Sequence, residues 1–285
     1  MILVIGATGT VGRELLRLLS GRGVQVRALV RHPEKAASIE APGVEIVPGD
    51  LAQAETLNAV LKGIEKVFLL TPSSLQQVEL EGNLVDAARR SGVKHIVKLS
   101  SLGARENSPI AMSRWHWQAE KLVKQSGIPY TFLRPQSFMQ NLLAFAPNVR
   151  QRGIISAPMK DGRLSLVDAR DVAAVAVVVL MEASHEGKTY RLSGPEALSF
   201  RDIADQLSSA LNQQIIYEDI PEETARRNLL NEGWPPWLVE DQIQIYRYFS
   251  ANRSPLVTDT IAKVAHKGAT TFQEFARDYS RAFRK

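Results

Sequence analysis

Three glycines, Gly6, Gly9 and Gly12, stand at intervals of three directly after the short apolar run Ile2 to Ile5. A helical pattern follows at once: Leu15, Leu16, Leu18 and Leu19 share one face, with Arg13, Glu14 and Arg17 on the other. Strand, glycine turn and helix, in that order, form the context in which a glycine motif binds a dinucleotide. Glycines let the backbone turn tightly and approach a pyrophosphate. The helix N-terminus adds unpaired N–H groups and a partial positive charge. Thr8, Thr10 and Val11 lie in the same turn and join the three glycines as cofactor-binding candidates. The spacing is G-x-x-G-x-x-G, not the G-x-G-x-x-G of the standard fingerprint.

The next apolar run, Val24 to Val30, ends at Arg31-His32-Pro33. In a nucleotide-binding fold the end of the second strand meets the adenosine ribose. An acidic residue there suits a free 2′-hydroxyl, whereas an arginine suits a 2′-phosphate through bidentate pairing. Arg31 therefore favours NADP(H) over NAD(H). Asp50, after the strand Val44–Val47, either bonds the adenine amino group, caps the following helix expected over 52–61, or does both. The central strand Val67–Leu70 leads to Thr71-Pro72 at the carboxyl edge; Leu51, Leu70, Thr71 and Pro72 complete the expected cofactor set.

Around these residues the chain alternates strands and helices. A helix over 76–91, the strand His95–Leu99, a helix over 112–124 and the strand Tyr130–Leu133 follow in turn. The pattern predicts an α/β, Rossmann-type doubly wound parallel sheet. Beyond it the alternation weakens. Asp168 to Asp171 opens an apolar helix over 172–181, Thr189–Leu192 is a strand, and Ser199 stands at capping-box spacing from Asp202. The expected organisation is an NAD(P)-binding domain over 1–150 and a smaller C-terminal α/β substrate or lid lobe over 151–285, partly interleaved with it.

Composition excludes several functions. The 285 residues are 45% hydrophobic and 23% charged, as in an ordinary globular protein, and cysteine is absent. Disulfides, thiolate chemistry and cysteine-ligated metal are thus excluded, and the five histidines show no paired metal-ligand spacing. The net charge of +5 comes without a lysine/arginine block, so no nucleic-acid partner is expected. The apolar start lacks a basic leader, and Val172–Met181 is too short for a bilayer, so no membrane partner and a cytoplasmic location are expected.

Several pieces together carry a resemblance: Val4-Ile-Gly-Ala-Thr-Gly, Leu29-Val-Arg-His-Pro, Gly49-Asp-Leu, Leu99-Ser-Ser-Leu-Gly-Ala, Ala119-Glu-Lys-Leu, Leu133-Arg-Pro, Phe138-Met-Gln-Asn and Thr271-Phe-Gln-Glu-Phe-Ala. They resemble the NmrA-like group of atypical short-chain dehydrogenases/reductases, in particular its NAD(P)H-binding, quinone-reductase-like members, over nearly the whole chain. Catalytic short-chain dehydrogenases carry Tyr-x-x-x-Lys on the helix that here spans 112–124. Anchored on Glu120-Lys121-Leu122, the lysine position is His116 and the tyrosine position Met112; a rival register pairing Trp117 with Lys121 has no tyrosine either. The resemblance implies two activities for a member lacking this pair: direct reduction of quinones or dyes, or cofactor sensing through a protein partner.

On that basis His116 and Ser101 are the catalytic candidates. His116 would hydrogen-bond the nicotinamide ribose or deliver a proton, or else be a half-buried histidine held by Ser100 or Ser101. Ser100 and His116 also join the cofactor set; both serines either sit by the nicotinamide or cap a turn. Phe138, Met139 and Asn141 follow the sixth strand and are the substrate candidates, with core packing the alternative for Phe138 and Met139. The aromatic segment Trp234-Pro-Pro-Trp237, with Tyr246 and Phe249, is a lid or, preferably, core or a subunit interface of a homodimer. The expected activity is NADPH-dependent reduction of a small planar electron acceptor.

Overall fold

The computed structural model describes residues 1–251 and 255–284. Its centre is a seven-stranded, wholly parallel sheet in the order β3-β2-β1-β4-β5-β6-β9. The strands are β1 (Ile2–Val4), β2 (Val26–Val30), β3 (Val44–Pro48), β4 (Lys66–Leu69), β5 (His95–Leu99), β6 (Tyr130–Pro135) and β9 (Thr189–Leu192). Their side chains alternate between two cores. Ile2, Val4, Ala28, Phe68 and Val97 meet one layer of helices, α1 (Thr10–Ser20), α6 (Ala169–Met181) and α10 (Thr260–Ala265). Leu3, Leu29, Val67, Leu69 and Ile96 meet the other, α2 (Leu57–Val60), α3 (Gln77–Arg90) and α4 (Ala111–Gln125). The Rossmann-type reading of the sequence is the observed fold.

The chain runs from β1 outward to β3 and then returns to place β4 on the other side of β1. The strand order therefore reverses between β1 and β4, and their carboxyl ends open a crevice. Open α/β sheets bind ligands at such a point.

One expected element differs. In place of a helix over 52–61, a 3-10 turn at Ala54–Thr56 precedes the single turn α2. The Asp50 carboxylate accepts from the Ala52 N–H at 3.0 Å, closing a local turn before any helix begins. Gly63, at φ +77°, ends the segment on the far side.

Past residue 150 the chain both adds to the main sheet and builds a further core. Helix α6 packs its valines against α1, and β9 extends the main sheet beside β6. The remaining elements form a third core. Helices α5 (Ala146–Arg152), α7 (Phe200–Leu211) and α11 (Phe272–Asp278) surround β7 (Ile154–Ala157), paired with β11 (Ile216–Asp219), and β8 (Arg163–Leu164), paired with β10 (Leu198–Ser199). Ser199 and Asp202 form the expected capping box. A hairpin of α8 (Glu222–Asn231) and α9 (Pro236–Ser250) reaches back toward α4. Among the described residues, no helix is long and apolar enough to cross a membrane.

At the edge of the sheet away from the crevice, His95 at the start of β5 is 2% exposed and shares a 2.9 Å hydrogen bond with the Thr131 hydroxyl. Burial, with help from Lys66 and His185 and against Glu186, lowers its pKa from 6.5 to about 4. Between these values the unfolded chain takes up a proton that the folded chain refuses. This part of the stability is intact above pH 6.5 and is lost as pH falls toward 4, about 3 kcal/mol in all. Urea unfolding at about pH 7 and about pH 5 should show the loss, and His95→Gln should flatten it.

Candidate active site

The crevice begins with the glycine turn. Gly6 has φ +75°, and a Cβ on it would lie 2.5 Å from the Leu70 carbonyl oxygen. A Cβ on Gly12 would lie 2.1 Å from the Gly6 oxygen, so α1 backs directly onto the turn. Gly9 caps α1 with its backbone alone, leaving the first-turn N–H groups of Thr10, Val11 and Gly12 at the open end of the helix. Val11 offers only that N–H, because its side chain is in the core. Arg13 Nε holds the Thr8 carbonyl at 2.8 Å, which braces the loop. This is a cradle for a diphosphate.

Gly6, Thr8, Arg31, Asp50, Leu51, Leu70, Thr71 and Pro72 line one cleft between the ends of β1, β2 and β4. Arg31 is exposed at its rim, while Leu51 and Thr71 are buried in its wall.

Below Thr71 lies a polar cluster that the sequence reading did not find. Lys98, next to last in β5, and Glu81, on the inner face of α3, are both fully buried and paired by a short ammonium–carboxylate contact. Thr71 Oγ1 donates to Glu81 Oε1 at 2.7 Å. Gln77 Nε2 lies 3.4 Å from the same oxygen and 3.3 Å from His116 Nδ1. A signal was present: Lys98 interrupts the apolar run of a central strand, and such a lysine needs a carboxylate.

The partner of His116 is therefore Gln77, not Ser100 or Ser101. Burial first, then the nearby charges of Lys98 and Arg134, push its pKa well below 6.5. That shift favours the uncharged form of the half-buried ring.

Ser100 is 4% exposed, and its hydroxyl donates to Glu120 Oε1 at 2.6 Å. Arg134 clasps the same buried carboxylate through Nε at 2.8 Å and Nη2 at 2.5 Å. Ser100 thus joins β5, α4 and β6. Ser101 differs, since its buried hydroxyl has no protein partner.

The substrate candidates are not brought together. Phe138 is half-buried beside the first core, and Asn141 is exposed. Met139 is 1% exposed within the third core, so it packs and does not wall a substrate. The intervening Gln140 donates to Asp168 at 2.9 Å and accepts from the Ala169 N–H at 3.0 Å, tying this segment to the start of α6.

Trp234 and Trp237 are half-buried. The Trp237 ring lies 5.5 Å from Trp115 of α4. One turn on, the Asp241 carboxylate accepts the Ala111 and Met112 N–H groups at 2.5 and 2.9 Å, capping α4 from outside its own segment. The aromatic segment is thus a brace on the helix that carries Met112 and His116.

The residues fit a bound dinucleotide. The glycine cradle has room for backbone only. Three buried polar atoms on the loops after β4 and β5 and at the start of α3, Ser74 Oγ, Gln77 Oε1 and Ser101 Oγ, have no protein partner. Among the described residues, no group of histidine and carboxylate side chains could hold a metal ion.

Fold and site together define a dinucleotide-binding α/β protein without the Tyr/Lys pair of short-chain dehydrogenases. The chain belongs to the NmrA-like family, whose model matches residues 1–276. It is 40% identical over 283 residues to the NAD(P)H azoreductase of Xenophilus azovorans, covering 99% of each. The solved NADPH-dependent quinone oxidoreductase of Escherichia coli, complexed with NADPH, superposes with a TM-score of 0.89 at 30% identity, covering 98% of this chain and 100% of that one. The triphenylmethane reductase of Citrobacter sp., complexed with NADP(H), gives 0.85 at 28% identity over 98% of this chain and 99% of that one.

Two substitutions check this geometry. Gly12→Ala forces a Cβ against the Gly6 oxygen and should abolish NADPH binding in a fluorescence titration while most of the helical signal remains. Lys98→Met strands the Glu81 carboxylate in the core and should lower the unfolding free energy by about 3–5 kcal/mol in a denaturant titration.

Proposed function

We propose that the protein is an NADPH-dependent reductase of quinones and similar planar electron acceptors, working by direct hydride transfer. One observation carries the reading: a complete dinucleotide cradle adjoins a catalytic helix with Met112 and His116 where the phenol and the amine of the Tyr/Lys mechanism would stand. Conjugated acceptors suit such a site. They delocalise the incoming electron pair and need no strong acid at the moment of transfer. The names of the azoreductase, the quinone oxidoreductase and the triphenylmethane reductase point to acceptors of this kind.

When bound, NADPH would supply a hydride to the acceptor; a quinone or azo acceptor then takes a proton from water, and a cationic triphenylmethane dye needs none. The chain's own residues do the rest. The first turn of α1 holds the diphosphate, and Arg31 pairs with the 2′-phosphate. Ser101 and Gln77 orient the nicotinamide end with hydrogen-bonding groups that no protein atom uses. Phe138 supplies an aromatic face at the carboxyl edge of β6. The partner is a small molecule, and the reaction belongs to the cytoplasm, where NADPH is regenerated.

Loss of NADPH absorbance across a panel of quinones, azo dyes and triphenylmethane dyes tests the reading. Turnover well above background with at least one of them is expected. Tight NADPH binding with no turnover on any would make the protein a cofactor sensor instead. Arg31→Asp should weaken NADPH about 10- to 100-fold, the worth of a charge-assisted bond to phosphate. It should leave NADH nearly unchanged, as read by parallel titrations.

A further inference from the structure

Gln77 is fully buried at the first position of α3, and its amide nitrogen stands between two acceptor sites. Glu81 receives the Lys98 ammonium on Oε2 and the Thr71 hydroxyl on Oε1. An amide oxygen turned toward that carboxylate would oppose two acceptors in a dry pocket. The NH2 group therefore faces Glu81, as the 3.4 Å contact of Nε2 records. The amide has a second proton, and Nε2 is 3.3 Å from His116 Nδ1. Nδ1 must then accept, so it carries no proton. An imidazolium is incompatible with this contact, because both its ring nitrogens donate. The one proton of the neutral ring is on Nε2.

We propose that Gln77 is a positioning residue that locks His116 in its Nε2–H form, and that His116 uses this N–H as a fixed, uncharged donor to the acceptor atom on which negative charge collects during reduction. The donor role rests on the reductase reading above; the tautomer does not. Hydride addition to a quinone or azo group places an electron pair on oxygen or nitrogen. A preorganised donor stabilises that charge without surrendering its proton. The final proton comes from water, so atoms and charge balance with no acid on the enzyme. Lys98 has a part in this arrangement. It cancels the Glu81 charge, so the carboxylate can orient the amide without drawing a proton onto the ring.

Long-range proton–nitrogen NMR of 15N-labelled, cofactor-free protein reads the tautomer directly. The His116 signals should show a protonated Nε2 and a bare Nδ1 through neutral pH. Gln77→Met keeps the size and removes the donor. It should convert the ring to a tautomer mixture and lower kcat about 100-fold. His116→Gln, which restores an N–H donor, should be clearly more active than His116→Leu. A protonated Nδ1 at neutral pH in the wild-type protein would overturn the proposal, even if Gln77→Met failed to fold. So would a Gln77→Met spectrum identical to wild type, or equal activity in the two His116 variants. Absence of turnover with every acceptor, alongside the expected spectrum, would remove the donor role and the reductase reading while leaving the tautomer lock in place.

Discussion

An ammonium group in the middle of a parallel sheet cannot reach water, and the candidate site is arranged around that constraint. Lys98 points from β5 into the layer under α3 and meets Glu81 there. A buried ion pair gains little over an apolar pair, but losing one partner is costly, so the pair holds its neighbours in one arrangement. Thr71 at the end of β4 and Gln77 at the start of α3 both bond to the same carboxylate oxygen. The loop lining the cleft and the helix behind it are thereby set relative to β5, and His116 is set relative to all three.

A second buried carboxylate, Glu120, stands one turn along α4 from His116. Glu120 gathers Ser100 from the end of β5 and Arg134 from β6, and the two oxygens match the fork of the guanidinium. Helix α4 thus touches two anchored carboxylates, Glu81 through Gln77 and its own Glu120, each neutralised by a base. The bases are what His116 senses, since Lys98 and Arg134 both add to the effect of burial in keeping its ring uncharged. A motif shared with catalytic relatives, Glu120-Lys121-Leu122, proves here to contain a joint of the fold.

The sequence was most legible where structure depends on neighbours along the chain. The glycine turn could be read because strand, turn and helix are contiguous, and the strands because buried parallel strands are uniformly apolar. The capping box at Ser199 was local for the same reason. Gln77 and Glu81 escaped notice because each is ordinary in its own segment and meets the other groups only when α3 crosses β5; Lys98 stood out in an apolar strand, but nothing near it in the chain named its partner. Ser100 and Ser101 could not be told apart by position, since one hydroxyl meets a carboxylate from another helix and its neighbour meets nothing. Phe138 and Met139 were ambiguous in a similar way: adjacent residues leave an extended segment on opposite sides, and here they enter different cores.

The cap that Asp241 places on α4 also bears on the order in which the protein is made. The helix that carries His116 is finished at its N-terminus by a carboxylate 130 residues later in the chain. During synthesis that helix end stays uncapped, and the face of the sheet that carries α1 stays uncovered, until α6 and the segment around Asp241 have left the ribosome. The support behind the diphosphate cradle and the cap on the helix that carries His116 are therefore both completed late.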